Sequence, residues 1–595
     1  MIQRVLYLLK FYLLTVVLFL IAKVAFMLAN MANHPFSVSD VYHVLLRGVT
    51  LDLSTALYFL IVPFLACIAS VWVTVPRWIW QTYHVIAALV YSLAIVADTS
   101  LYPFWNFKLN ASCLQYLDSP TEVMASVSTS YILIRLAVLA VVIAVVVFCY
   151  ARIKHVFPPV THRLAATFCA LLLIPLMVIG IRGGVGESTT NIGQVYFSQN
   201  QFLNHAAVNP VFSFMSSFEK SANDIMAHDY FSPEECDRLM EGLYPTTTEG
   251  SDTLLTTQRP NIIIVLMESA GEVMGDAMPR LQQLKEEGIN FTACYANSWR
   301  TDRGTVCIWS GYPSFPSTSV MKMPSKSNRL PSIARRLQEI GYETSYYYGG
   351  DINFTNMRSY LLGTGFARLS WQKHYTSEEQ ASAKWGVRDD IMFDAVYDKL
   401  MGGDGKSPQL IGFSTLSSHE PWDVPEKRLK DPVKNAFYYL DECLGNFIDR
   451  LKATPQWQNT LVILLPDHSI DYGGSNESWP ERNLIPMVWV GGVVEAPHQV
   501  DVLCNQTDLA ATLLAQLGLP HDEFLWSRDV LSKNYQYPFA IHNYDNGFSL
   551  RDSTGFMLYD LDARQMLVGS GDSSIRLKRM GEAILQATTK DLKEK

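Results

Sequence analysis

Charged side chains are scarce in this chain, 17% of 595 residues against 49% hydrophobic, which excludes a disordered polymer. Cysteine is sparse too. The nine have no CxxC spacing, so neither a zinc ribbon nor a disulfide-dense scaffold fits. Cys67, Cys149 and Cys169 fall in apolar stretches. Cys113, Cys236, Cys294, Cys307, Cys443 and Cys504 read mostly as small buried apolar residues, with room for one or two disulfides. There is no internal repeat and no low-complexity run. Positive charge is short where most of the chain lies. Residues 1–183 carry 11 Lys+Arg and 5 Asp+Glu, a net of +6, whereas the remainder carries 36 and 51, a net of -15. An acidic body of that size excludes nucleic acid as the natural partner and suits a cation better.

What the first third has is long apolar runs. About 20 apolar residues cross a bilayer. Five stretches qualify, at 5–30, 51–74, 79–100, 130–151 and 163–182. Lys10, Lys23 and Arg135 interrupt two of them, and long basic side chains are expected to snorkel to the interface. The first run is too long for a secretory signal and no small-residue cleavage site follows it. With the N-terminus inside, Arg4, Lys10, Arg77, Arg152, Lys154 and Arg163 lie on the inner side, and Arg47, Lys108 and Arg182 on the outer. That bias orients the chain with everything after residue 183 outside the cytoplasm.

Residues 184–259 read as a membrane-surface linker with amphipathic helices, ending in the turn-rich 245–259. From 260, short apolar runs alternate with helical patterns: strands at 261–267, 289–296, 342–348, 408–416, 460–465 and 484–490, and helices at 279–288, 329–341, 388–401, 432–452 and 506–517. Such alternation predicts an α/β domain with a largely parallel sheet over 260–535. The tail, 536–595, reads as a small antiparallel subdomain closed by a charged helix.

Ligands gather at the carboxyl ends of strands in such sheets. Three predicted strand ends carry chemistry: Glu268-Ser269, Asp467-His468, and the run Ser417-Ser418-His419-Glu420-Pro421-Trp422. A fourth element, Arg300-Thr301-Asp302-Arg303-Gly304, opens a helical stretch. Two carboxylates and an imidazole suit a borderline divalent cation such as Mn²⁺ or Zn²⁺. Thr301 can fill the open position as a nucleophile whose hydroxyl the metal activates. A helix start there favours an anionic phosphoryl group, and His419 reads as a donor to that group or an acid for the leaving oxygen. Singly, each residue has a plainer role: Thr301 an N-cap, Glu268 a surface residue, His419 a loop hydrogen-bonder. Their joint placement at the ends of one sheet sets them apart. His374, His498, His542, Trp299 and Trp309 read as structural.

The segments N-I-I-I-V-L-M-E-S (261–269), Y-A-N-S-W-R-T-D-R-G (295–304), S-G-Y-P (310–313), Y-Y-G-G-D-I-N-F-T-N-M (347–357), K-W-G-V-R-D-D (384–390), S-S-H-E-P-W (417–422) and P-D-H (466–468) resemble the alkaline phosphatase/sulfatase superfamily. Within it they resemble the lipoteichoic acid synthase and phosphoglycerol transferase family. The five spans and the R-G-G at 182–184 fit the same family. The resemblance implies an alkaline-phosphatase-like catalytic domain facing outward from the bacterial cytoplasmic (inner) membrane. It implies metal ligation by Glu268, Thr301, Asp467 and His468, with Mn²⁺ the usual ion and Mg²⁺ or Zn²⁺ as alternatives. Thr301 corresponds to the nucleophile that takes phosphoglycerol from phosphatidylglycerol, releases diacylglycerol and passes the group to a glycan or glycolipid acceptor. His419, with Arg303, Asp351, Asn353 and Trp385, corresponds to substrate contacts. Three positions depart from the family pattern. Thr355 and Met357 stand where Gram-positive synthases carry Trp and Arg, and D-H-S replaces D-H-G at 467–469. A phosphoethanolamine transferase shares the spans and the threonine. A sulfatase needs a C/S-x-P-x-R motif that Thr301-Asp302-Arg303-Gly304 lacks. A membrane-anchored scaffold with a dead hydrolase fold would not need all four core residues.

Overall fold

The computed structural model describes all residues except 106–107, 112, 114–128, 187, 199, 222–227, 317, 404, 474–476, 478, 545–546 and 562–563. It comprises two compact units, Met1–Asp224 and Ile225–Lys595.

Among the described residues, five helical stretches of the first unit are long and apolar enough to cross a membrane: Ile2–Asn30, Val38–Trp72, Arg77–Pro103, Ser130–Ala151 and Arg163–Arg182. The chain is a multi-pass membrane protein. The first two helices, Ile2–Asn30 (α1) and Val38–Trp72 (α2), pack together along their buried faces. A capping box between Ser37 and Asp40 starts α2 well before the expected residue 51, because the polar residues there satisfy the helix end. At 1.5 Å per residue α2 is about 52 Å long, so it projects beyond a hydrocarbon core of about 30 Å. Arg47 therefore sits on a helix rather than in a loop. The last stretch breaks at Leu172 into Arg163–Leu171 and Leu173–Arg182. Pro175 explains the break, since it has no N–H to offer the carbonyl four residues back. One expectation fails: Lys23 does not snorkel. It is buried on α1 and pairs with buried Asp52 on α2, which also accepts from Asn209 Nδ2 at 2.8 Å. The helices Gln201–Ala207 and Pro210–Ser221 belong to this unit.

The second unit is built on an eight-stranded sheet. Its strands are Asn261–Leu266 (β1), Ile289–Phe291 (β2), Glu343–Tyr348 (β4), Arg368–Trp371 (β5), Gln409–Ser414 (β6), Thr460–Leu465 (β7), Met487–Val490 (β8) and His498–Val500 (β9). They run in the order β5-β4-β6-β1-β7-β8-β2-β9. Cys294–Tyr295 (β3), continuous with β2 in the sequence reading, instead pairs with Cys504–Asn505 (β10) in a separate ribbon. The sheet is parallel except where β8 meets β7 and β2. β1 is buried on both faces: Ile262, Ile264 and Leu266 enter one core, Ile263, Val265 and Met267 the other. That is why it reads as a continuous apolar run. The tail forms a four-stranded antiparallel sheet, Phe539–Tyr544 (β11), Gly547–Asp552 (β12), Gly555–Asp560 (β13) and Gln565–Val568 (β14), followed by the helix Gly571–Glu594. All nine cysteines are free.

Candidate metal centre

Register makes the site. β1 lies between β6 and β7, both parallel to it, with Leu266 opposite Ser414 and Leu465. Glu268 and Asp467 each stand two residues beyond that pairing, so both carboxylates leave the sheet at one edge. Glu268 N–H donates to Thr415 Oγ1 at 2.9 Å and Glu268 C=O accepts from Ser418 Oγ at 2.7 Å, which ties the β6 end to the same place.

Glu268, Asp467 and His468 offer three ligand atoms within 4.8 Å of one another. His468 Nε2 lies 3.8 Å from Glu268 Oε1 and 3.7 Å from Asp467 Oδ2. Ligands about 2.1 Å from a tetrahedral ion are separated by about 3.4 Å, so a small closure suffices. Asp467 Oδ1 accepts from the backbone N–H of Ser269 and His468, both at 2.9 Å, while its buried Oδ2 has no hydrogen-bond partner. His468 Nδ1 faces Ser469 O at 3.1 Å; a carbonyl only accepts, so the proton sits on Nδ1 and Nε2 is a free lone pair. The donor set fits a divalent cation.

Thr301 opens the helix Thr301–Ser310, and its Oγ1 donates to Glu268 Oε2 at 3.3 Å. The N-cap is Arg300, with no side-chain cap, so Thr301 is the first helical residue rather than the cap its type suggests. This helix approaches the centre closely. A Cβ at Gly304 would overlap the backbone oxygen of Asp467. Gly304→Ala is expected to destabilise the protein by about 1–3 kcal/mol and to weaken metal binding, as read by thermal unfolding and metal titration.

Burial first, then Asp467, pushes Glu268 up to about 7. Below that pH the metal-free carboxyl holds a proton that a cation must displace. Apparent metal affinity should therefore rise about tenfold per pH unit up to about 7 and level off above it, with about one proton released per ion at lower pH. Calorimetry in buffers of different ionisation enthalpy measures this.

His419 stands beside the centre: it follows Ser418, whose Oγ donates to Glu268 O at 2.7 Å. Its Nδ1 donates to Glu420 O at 2.8 Å, and Trp385 Nε1 donates to the same oxygen at 2.6 Å, bringing the two rings to 4.5 Å. Both line a groove with Lys384, Ser417, Pro421 and Asp423. Phe354 packs at 6.4 Å from Trp385. In the same loop Asp351 Oδ1 accepts from Asn353 N and Nδ2 at 3.0 and 2.8 Å. Arg303 stacks over Trp299 at 4.3 Å and pairs with Asp302 at 3.6 Å. The three-residue ligand cluster thus contains Glu268, Asp467 and His468, with Thr301 bonded to it. His419 and Trp385 meet beside it, and Asp351 and Asn353 meet in the neighbouring loop.

Two positioning residues had no role assigned in the sequence reading. Ser269, at a left-handed φ of 58°, donates to Glu268 Oε1 at 2.7 Å and lies 3.4 Å from His468 Nε2. Asp389 is buried and accepts from the backbone of Leu416 and Ser417 at 2.8 and 3.0 Å, which fixes the turn leading to His419. Asp389 lies in the quoted K-W-G-V-R-D-D segment, the one signal that pointed to it.

Residues 260–519 match the sulfatase family model. The second unit carries a sulfatase domain. Its fold is alkaline-phosphatase-like. Phosphoglycerol transferase I from Escherichia coli O6:K15:H31 (strain 536 / UPEC) is 26% identical over 279 residues, covering 42% of this chain and 35% of the relative. The same enzyme from strain 55989 / EAEC is 26% identical over 278 residues, with the same coverage. The chain thus spans about a third of the length of the curated relatives it matches. Among solved structures, a Vibrio parahaemolyticus protein of the alkaline phosphatase superfamily superposes with a TM-score of 0.53 at 26% identity, over 62% of this chain and 98% of that one. The lipoteichoic acid synthase LtaP from Listeria monocytogenes gives 0.50 at 17% identity, over 61% and 98%, a likeness of fold. The match to the sulfatase model ends just past the helix Leu509–Gln516, so the C-terminal antiparallel sheet lies outside it.

Proposed function

We propose that the protein is a membrane-bound phosphoglycerol transferase, taking glycerol phosphate from phosphatidylglycerol and delivering it to an extracytoplasmic glycan or glycolipid. The observation that carries this reading is a threonine hydroxyl at an uncapped helix start, 3.3 Å from one of two acids that cluster with an imidazole. The name of the curated relatives, phosphoglycerol transferase I, supports the group transferred.

Glu268, Asp467 and His468 would hold the ion, Mn²⁺ by the family's habit, with Thr301 beside it. A divalent ion there lowers the pKa of a hydroxyl and neutralises phosphoryl charge. Thr301 Oγ1 forms the bond to phosphorus as the bond to the diacylglycerol oxygen breaks. The threonine proton passes to Glu268 Oε2, to which the hydroxyl already donates, and the departing oxygen gains a proton from His419 Nε2 with that side chain in its imidazolium form. The first N–H groups of the helix Thr301–Ser310 face the phosphoryl oxygens. The acceptor hydroxyl then displaces Thr301 by the reverse sequence. Arg303, Asp351, Asn353 and Trp385 contact the head group. The domain division at 183, 259 and 535, the bacterial inner membrane and an outward-facing sulfatase domain complete the proposal. Five spans and the Lys/Arg bias support that orientation.

Incubation with labelled phosphatidylglycerol and Mn²⁺ should release diacylglycerol and leave a phosphoglycerol adduct on Thr301 by mass spectrometry. A phosphoethanolamine adduct would change the donor. A reporter fused after Lys595 should be active only outside the cytoplasm; activity inside would reverse the orientation.

A further inference from the structure

Lys322 is an exposed cation near Thr301 that the transfer chemistry leaves unused. It closes the turn Val320–Lys322, and its Nζ lies 3.8 Å from Oδ2 of Asp302, the residue after Thr301. Asp302 is 6% exposed, and that oxygen has no hydrogen-bond partner. On its other side Asp302 Oδ1 lies 3.6 Å from Arg303 Nη1. Neither distance is that of a hydrogen bond. Two cations thus share one carboxylate, which leaves one positive charge over beside the first turn of the helix Thr301–Ser310.

The two cations differ in reach. Arg303 stacks on Trp299 and its side chain is 10% exposed, whereas that of Lys322 is 50% exposed. Among the described residues the Lys322 ammonium has Asp302 as its one partner and donates no hydrogen bond, so its three N–H groups can turn to a ligand. Its backbone is held from the opposite side. Asn356 Nδ2 donates to Lys322 O at 3.4 Å, and Thr355 Oγ1 donates to Met321 Sδ at 3.8 Å. Thr355 and Asn356 are consecutive non-glycine residues at left-handed φ values of 52° and 63°, a conformation that side chains disfavour and that persists where surrounding contacts enforce it. Both therefore clasp the segment that carries Lys322. The clasping loop, 351–357, has no cation of its own: Asp351 is its one charged residue, and Met357 is buried. A phosphodiester at Thr301, on the side of this loop, meets its exposed positive charge at Lys322.

We propose that Lys322 binds the phosphate of the lipid donor, its ammonium donating to a non-bridging phosphoryl oxygen while Asp302 holds it by charge. The inference rests on the transferase reading, since it assigns a further contact to the anionic donor of that reaction. A lysine serves such a contact as a point charge. Its pull acts alike on the bound donor and on the transition state, so it should appear in KM and leave kcat nearly unchanged.

The test uses the full chain in phosphatidylcholine nanodiscs with Mn²⁺. By calorimetry the wild type should bind glycerol 1-phosphate, Lys322→Gln should bind it about tenfold more weakly, and Lys322→Arg should stay within about threefold of the wild type. Both variants should keep the unfolding midpoint, because the side chain is half exposed. For diacylglycerol release from phosphatidylglycerol, KM should rise about tenfold in Lys322→Gln with kcat within about threefold. The proposal is overturned if the wild type does not bind glycerol 1-phosphate, if Lys322→Gln binds it as the wild type does, or if Lys322→Arg fares no better than Lys322→Gln, which would mark a structural lysine. Diacylglycerol release judges the transferase reading separately. Lysine-dependent binding of glycerol 1-phosphate without release sinks that reading and leaves the phosphate contact standing; release with an unchanged KM in Lys322→Gln sinks the contact alone.

Discussion

Thr301→Ala should lower diacylglycerol release on the order of 10⁴-fold or more, as removal of an attacking side chain does when no neighbour replaces it. The loss would be chemical rather than structural. Alanine is the best helix former, and Thr301 occupies the first helical position, so the helix Thr301–Ser310 gains rather than loses propensity. The hydroxyl makes one hydrogen bond, to Glu268 at 3.3 Å, and holds nothing else in place. The thermal midpoint should accordingly stay near that of the wild type. Turnover within tenfold of the wild type would remove Thr301 from the chemistry, and a scaffold would keep its cellular role in this variant.

The second large effect belongs to Asp467→Asn. Asp467 does two jobs with two oxygens. Oδ1 accepts from two backbone N–H groups, a task an amide oxygen repeats. Oδ2 is the buried oxygen without a partner, and in asparagine it becomes an NH₂ group that cannot ligate. Mn²⁺ affinity should fall at least ~100-fold, with turnover following, while the circular dichroism spectrum and unfolding midpoint persist. Wild-type Mn²⁺ stoichiometry and affinity in this variant would show that the cation, if bound, sits elsewhere.

The proximity of Glu268, Asp467, His468 and Thr301 was legible because each ends a buried apolar run or opens a helix, and parallel pairing carries such ends to one edge. Periodicity cannot report register, yet for β1, β6 and β7 register is almost forced: each strand is about six residues long and buried on both faces. Ser269 and Asp389 were harder to find. Their task is to hold other groups, through a left-handed backbone in one case and through two amide N–H groups in the other, and neither leaves a spacing pattern. β5 and β9, short and partly exposed, carry too few apolar residues to announce a strand. The snorkelling expectation failed for Lys23 because it took one helix at a time. The partner, Asp52, lies on the next helix, and its own place in an apolar run hid what it was for.

That pair bears on how the chain enters the bilayer. A lone lysine or aspartate at mid-helix costs about 2.5–3.5 kcal/mol on insertion scales. Inserted one after the other, α1 and α2 would each carry such a cost; inserted together as a hairpin they cancel it, since Lys23 and Asp52 neutralise each other out of reach of lipid. Asn209, reaching Asp52 from far along the chain, arrives only after all five hydrophobic segments have been made. The first hairpin therefore completes its polar contacts only once Asn209 has been made.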